Sequence, residues 1–560
     1  MLKRKFQFLL TGLLPCLFAF AGVNDKGVEY YNAGLTDAAK EFFVKQKTAS
    51  ATDEAEKNYY LGLIYDNEKS DSAQYFFRQA VAADAKSPYG YIGMGRIELK
   101  NDNPKGAETQ FKAAEKLAKK DAAVQVNIAK AYFDYDKTAD AENALAKAHK
   151  INMEYSGIYL LEGDMKTKAK DYSNATSKYE NALYFNANDK LAYIKLARIY
   201  DMNRKDMALD YINQVLKIDP NYIPAYIILG DIKNSQAKSK EAIEAYEKVI
   251  AIGNVPTTVY ERYAQALYFD RQYAKSLEQI KKTIQDNTNN VIMRRLEAYN
   301  EYELENYADG LVKMQKFIST TQPKDIIYLD YMTMARYYVK AKNYPQSIEN
   351  FQKAIALNDR QPEAYKEIAN AYCMSFEYAK SIPNFEKYFE MNPNYLNMDL
   401  YVYSDACINS AGKSVDAYNK NFTPEQLAAN DREFMDCINK AIATNDSLIK
   451  RAPESYLGFY GKAKAYSWID AYEKKKTDKI DGVAKPYYDE AVMKLEAGNT
   501  DGKLNAYVID AYRYYSGYYI MKDDVKNTIE INKKILDIDP NDSRAIEILK
   551  ALKVKLPKKK

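Results

Sequence analysis

A small residue returns every 33 to 37 positions along most of this chain, and that period constrains its fold more than any other feature. The markers are Gly27, Gly62, Gly95, Ala129, Gly163, Ala197, Gly230, Ala264, Ala298, Ala335 and Ala369. About twelve places after each comes a second small residue: Ala39, Ala73, Ala107, Ala141, Ala175, Ala208, Ala242, Ser276, Gly310, Ser347 and Ser381. Four places further stands a bulky apolar residue, as at Phe43, Phe77, Phe111, Leu145, Tyr179, Ile212, Tyr246, Ile280, Met314, Phe351 and Phe385. Apolar residues at helical spacing fill the rest of each unit, which reads as two helices brought close by small side chains. One such unit leaves an apolar face bare, so the units must stack on one another.

The unit boundaries carry their own signals. Gly or Asn recurs in the short turns, as at Gly34, Asn103 and Asn343, and Pro220, Pro393, Pro453 and Pro540 close units where a helix cannot continue. Tyr is abundant at 53 residues, and much of it falls on framework places such as Tyr65, Tyr132, Tyr200, Tyr226, Tyr260 and Tyr365. This pattern resembles the tetratricopeptide repeat (TPR), a 34-residue helix–turn–helix, over nearly the whole chain. The resemblance implies an all-α fold, an α-solenoid coiled as a right-handed superhelix of about fourteen TPR or TPR-like hairpins. Residues 22–395 read as eleven regular units, 396–540 as three divergent ones, and 541–560 as a capping helix with a Lys-rich tail. Two insertions mark the divergent part: Asn409 to Asp431, and a turn lengthened from Lys474-Lys475-Lys476 onward.

Residues 1–21 read as a signal peptide. Lys3-Arg4-Lys5 precedes an apolar run from Phe6 to Phe20, and Ala19-Phe20-Ala21 suits cleavage after Ala21. The run is short for a membrane anchor and contains Pro15. Cys16 directly follows that proline, a poor context for lipid attachment. No other stretch is apolar enough to span a bilayer, so the mature chain is expected without a transmembrane span. The expected location is the periplasm of a Gram-negative bacterium, with envelope association as an extension. The net charge is +4, but the leader and the terminal Lys553, Lys555, Lys558, Lys559 and Lys560 more than account for it. The body between them is slightly acidic, which disfavours nucleic-acid binding. The remaining cysteines, Cys373, Cys407 and Cys437, are odd in number; Cys407 and Cys437 could bridge, and three separate buried thiols are the other reading.

Catalytic chemistry is missing from the pattern. His149 is the only histidine and reads as a surface residue, which excludes Ser-His, Cys-His and His-rich zinc sites. No Gly-rich, Lys-terminated phosphate loop is present. The chain therefore reads as a non-enzyme with no cofactor and no metal. The resemblance implies that helix A residues line a concave groove that binds other proteins or peptides. Carried onto this chain, they are Tyr59, Tyr89, Ile92, Arg96, Phe133, Arg198, Asp231, Tyr268, Phe269, Arg295, Tyr299, Tyr302, Arg336 and Lys340. Aromatic and Arg side chains are what interface hot spots favour. Tyr268, Phe269, Arg295, Tyr299 and Tyr302 are expected to lie together. Trp468, at the end of a helix A beside a lengthened turn, is either a packing residue or an exposed anchor. Lys366 and Asn370 match the first half of a carboxylate clamp found in some relatives, but Tyr401 stands where its next Asn should be. The favoured function is a non-catalytic interaction scaffold of the bacterial envelope. The alternative is a carbohydrate-binding uptake protein, against which stand the missing lipid-attachment motif and the single Trp.

Overall fold

The computed structural model describes residues 23–554 except 254, 287 and 288, and it gives no side-chain account of 285 and 286. The leader and residues 555–560 lie outside the described part. Among the described residues there are twenty-nine α-helices and no strand. They run as α1 (Asp25–Asn32), α2 (Thr36–Lys45), α3 (Ala51–Asn67), α4 (Ser72–Ala83), α5 (Pro88–Lys100) and α6 (Pro104–Leu117). Next come α7 (Ala122–Asp134), α8 (Thr138–Ile151), α9 (Ser156–Lys168), α10 (Tyr172–Phe185), α11 (Lys190–Asp201) and α12 (Lys205–Ile218). Then follow α13 (Ile223–Ser235), α14 (Ser239–Ile252), α15 (Thr257–Phe269), α16 (Tyr273–Asp286) and α17 (Val291–Glu303). The second half has α18 (Tyr307–Thr320), α19 (Tyr328–Lys340), α20 (Tyr344–Leu357), α21 (Pro362–Met374), α22 (Tyr378–Met391) and α23 (Asn397–Ala417). It ends with α24 (Pro424–Arg451), α25 (Tyr456–Thr477), α26 (Lys485–Gly498), α27 (Asn505–Met521), α28 (Val525–Ile538) and α29 (Ser543–Ala551). Helices pack on their sequence neighbours as hairpins, the arrangement of an α-solenoid. Two compact units divide after Leu304.

The small residues sit where the helices touch. Ala39, Ala73, Ala107, Ala141, Ala175, Ala208 and Ala242 are fully buried, as are the markers Ala129, Ala197, Ala264, Ala298, Ala335 and Ala369. Gly34 turns left-handed at φ +73, a conformation that glycine adopts at low cost. Asn103 and Asn343 serve differently from Gly34. Each starts a helix, its side-chain oxygen accepting the N–H of Gly106 or Gln346 (3.1 and 3.4 Å).

The first expected insertion is mostly helical. The Asn409–Asp431 stretch lengthens two helices, so α23 runs 21 residues and α24 runs 28. A capping box at Thr423 starts α24, its hydroxyl accepting the Gln426 N–H at 3.3 Å. Lys474-Lys475-Lys476 forms the last turn of α25, where cations suit the helix C-terminus. The turn that follows is held by buried Asp470, whose carboxylate accepts the N–H groups of Gly482, Val483 and Ala484 at 2.8, 2.9 and 3.1 Å. Trp468 accordingly lies inside α25 rather than at its end; it is half-buried and packs against Gly412 of α23. Cys407 and Cys437 are buried free thiols, and Cys373 is a half-buried one.

Unit 1 has a feature the period does not announce. The N-terminal hairpin α1–α2 packs forward on α3 and also reaches α11, α13 and α15. Glu29 pairs with Lys190 at 2.8 Å. Glu41 accepts the Thr257 N–H at 2.8 Å and its hydroxyl at 2.9 Å. The guanidinium of Arg198 donates to the Ala33 carbonyl. Tyr30, Leu35 and Phe43 join one apolar cluster with Ile194, Tyr222, Ile227 and Val259. The hairpin thus closes the unit on itself.

Candidate functional site

Closure shapes the inner face of unit 1 into a partly open cleft. Helices α1, α3, α5, α7, α9 and α11 converge around a cavity of about 600 Å³. Its wall carries Tyr31, Tyr59, Tyr60, Tyr89 and Tyr155 together with Glu56, Asn127, Lys130, Asp164, Asp189 and Lys195. Four of the tyrosines, Tyr31, Tyr59, Tyr60 and Tyr89, form a connected group. Ring centroids lie 5.4 Å apart for Tyr31–Tyr60, 5.5 Å for Tyr59–Tyr60 and 5.4 Å for Tyr59–Tyr89. Burial pushes the hydroxyl pKa of Tyr89 up to about 12, with Asp121 adding to it, so this phenol stays protonated and can donate or accept. Tyr59 donates to Asn127 Oδ1 at 3.3 Å.

In three places charges on neighbouring helices A neutralise one another, the residue just after a marker pairing with the residue two before the next marker. Asp164 meets Lys195 at 2.7 Å, and Asp231 meets Arg262 at 2.7 Å. In unit 2, Arg336 donates through Nε to Glu367 at 2.8 Å. Lys130 has Leu161 at the partner place, and reaches Asp134 instead at 3.3 Å. Burial pulls the Lys130 pKa down, and Asp134 outweighs this and leaves it above the ordinary value.

Several sequence-derived groove residues sit elsewhere. Arg96 is 2% exposed, its guanidinium held by Asp66 at 2.8 Å and Asp134 at 2.9 Å, with Tyr135 donating to Asp66 at 2.5 Å. It ties α3, α5 and α7 together and offers no free face. Ile92 is wholly buried and Tyr299 nearly so, each packed between its own hairpin and the next. Arg198 faces the N-terminal hairpin. Tyr268 touches Phe269 and Tyr299, with centroids 5.8 and 6.2 Å apart, and Phe269 is 61% exposed. Arg295 and Tyr302 are half-exposed on the same helix as Tyr299. Lys340 lies 4.9 Å from the centre of the Tyr307 ring. Lys366 pairs with Asp399 at 3.0 Å, so the half-clamp residue is engaged within the fold. Phe133 lies under Lys168 in a second groove, of about 590 Å³, which also holds His149. His149 Nε2 is 3.0 Å from Glu162, so this residue is partly sheltered rather than a plain surface side chain.

Of the cavity wall, the sequence pattern marks Tyr59 and Tyr89. Lys130 and Asp164 occupy the same place in their units as Arg96 and Arg198, so the same rule would have found them. Nothing in the period points to Tyr31 or to closure. Among the described residues, no three His, Cys, Asp or Glu gather as a metal site, and no helix is long and apolar enough to cross a membrane.

No family model matches the chain. It is 31% identical over 113 residues to the small glutamine-rich tetratricopeptide repeat-containing protein 2 of Mycosarcoma maydis, covering 20% of this chain and 30% of that protein. It is 23% identical over 338 residues to a TPR repeat-containing protein of Methanocaldococcus jannaschii, covering 56% of this chain and 59% of the relative. The chain therefore spans less than two thirds of the length of either. Among solved structures, the C-terminal part of a TPR repeat-containing protein from Cytophaga hutchinsonii is similar at 21% identity and a TM-score of 0.38, covering 52% of this chain and 99% of that one.

Proposed function

Since the chain is a tetratricopeptide-repeat protein, we propose that it is a non-catalytic scaffold of the bacterial envelope that holds partner proteins by its concave face. The observation that carries this reading is the tyrosine-lined cavity where the A helices of unit 1 converge. Tyrosine supplies large contact area with few rotatable bonds, and hot spots concentrate in enclosed aromatic sites. A volume of about 600 Å³ falls in the range of pockets that bury a ligand group. The basic, apolar and small-residue segments of the leader support export, with the mature chain starting at Gly22.

The test is a pull-down from envelope fractions with the mature protein. Tyr89→Ala/Tyr155→Ala is compared with Tyr184→Ala, a tyrosine 83% exposed on the outer helix α10. Losing a hot spot costs about 2 kcal/mol, roughly thirtyfold in affinity. Partner capture is expected to fall by that order in the cavity variant, with the melting temperature kept. Equal capture by both variants would sink the concave-face reading. Mature protein retaining Met1 would sink the export part separately.

A further inference from the structure

The cavity's acidic groups differ in how fully they are engaged. Asp164 has Lys195. Asp189 accepts the N–H groups of Leu191 and Ala192, both at 3.1 Å, and the Ser156 hydroxyl at 2.7 Å. Glu56 has one amide: Asn24 Nδ2 donates to its Oε2 at 3.0 Å. No Lys or Arg among the described residues pairs with it. Asn24 is 1% exposed and turns its other N–H to the Asp53 carbonyl at 2.8 Å, leaving its Oδ1 buried without a donor. Glu56 thus stands in the cavity wall as a carboxylate with acceptor capacity unfilled. Burial raises the Glu56 pKa, the Asn24 hydrogen bond opposes this, and Asp25 and Asp53 add to it. A cation entering here would relieve that cost. The phenol oxygens and rings of Tyr59, Tyr60 and Tyr89 complete surroundings that suit a cation, because an ammonium or guanidinium needs several acceptors and is drawn to aromatic faces.

We propose that the cavity receives one basic side chain, a lysine or arginine carried by a partner peptide, with its charged head against Glu56 among the tyrosines. This rests on the concave-face reading and names the chemistry that face selects. The α1–α2 hairpin supports it, since a cleft of about 600 Å³ that this hairpin borders takes a side chain and its short flanks rather than a long helix.

The probes are blocked pentapeptides of glycine with a central lysine, arginine, norleucine or glutamate, titrated into the full mature protein by calorimetry. Lysine and arginine peptides are expected to bind at least about tenfold more tightly than norleucine, which matches lysine's length without its charge. Glu56→Gln keeps the shape and should remove that preference, with circular dichroism and melting temperature confirming the fold. Equal binding of lysine and norleucine, a preference that survives Glu56→Gln, or no binding of any pentapeptide overturns the proposal. Equal binding that Tyr89→Ala abolishes would overturn only the choice of a cation and leave the concave face as the site.

Discussion

Where Gly95 faces Phe111, a methyl group has no room: a Cβ on Gly95 would stand 2.3 Å from the ring. The same two places hold Gly163 with Tyr179 and Gly230 with Tyr246, at 2.3 and 2.4 Å. Where the bulky residue is aliphatic, the marker is alanine instead: Ala129 with Leu145, Ala197 with Ile212, Ala264 with Ile280. Size is thus balanced pair by pair in unit 1. In unit 2 the balance loosens, with Ala335 and Ala369 before Phe351 and Phe385. In two of the late hairpins it changes character, as Asn445 donates to Ser404 at 2.6 Å and Asn532 to Ser516 at 2.7 Å. Gly95→Ala should therefore destabilise unit 1 by ~1–3 kcal/mol in urea unfolding. Adding Phe111→Leu should recover part of it, with a coupling of ~1 kcal/mol. Additive losses would show that the two positions do not share one space. Each of the two columns was legible in the sequence. Their compensation was not, because it exists only between residues fifteen or sixteen places apart that the hairpin brings into contact.

Helix A ends by one rule in ten of the eleven regular units, the exception being Arg204 at φ -137. Seven residues after the marker the backbone turns left-handed, at Lys69, Asp102, Asp136, Lys170, Ala237, Arg271, Glu305, Lys342 and Phe376 as well as Gly34. An ordinary residue in that conformation costs ~1–2 kcal/mol, partly offset by the lower chain entropy it carries into folding. Lys170→Gly, at φ 60, should accordingly raise stability by ~0.5–1 kcal/mol, read as a higher melting temperature. An unchanged or lower value would refute the strain. This turn was hard to read beforehand because only Gly34 advertises it. Elsewhere the geometry is imposed by the two helices that flank it. Helix lengths were hidden for a related reason. Asn409 to Asp431 reads as an insertion rich in Asn, Ala and charge, but Ala, Glu, Gln, Leu and Lys are good helix formers, and packing against neighbouring helices sets where α23 and α24 end.

At the scale of the molecule each unit stacks hairpins, and unit 1 adds closure. A plain stack predicts that damage stays local. With α1–α2 bound to α11 and α15, the double change Glu29→Ala/Glu41→Ala should raise amide hydrogen exchange at both places, not only near the substitutions. Exchange confined to α1 and α2 would mean that the apolar cluster alone holds the closure. The cavity itself was half legible: helix A faces follow from the period, but which of them meet across the space depends on a curvature that no local pattern encodes. Closure also has a consequence for synthesis. A repeat chain normally folds through contacts between near neighbours, so each hairpin can settle as it emerges. Here Glu41 waits for Thr257, 216 residues later. The α1–α2 hairpin is made well before the helices that seat it, and until they follow the apolar faces of Tyr30 and Phe43 are open to wrong partners. The slow step of unit 1 is then a long loop closure, and holdase chaperones that shield α1 and α2 should speed productive folding more than those acting on the middle of the unit.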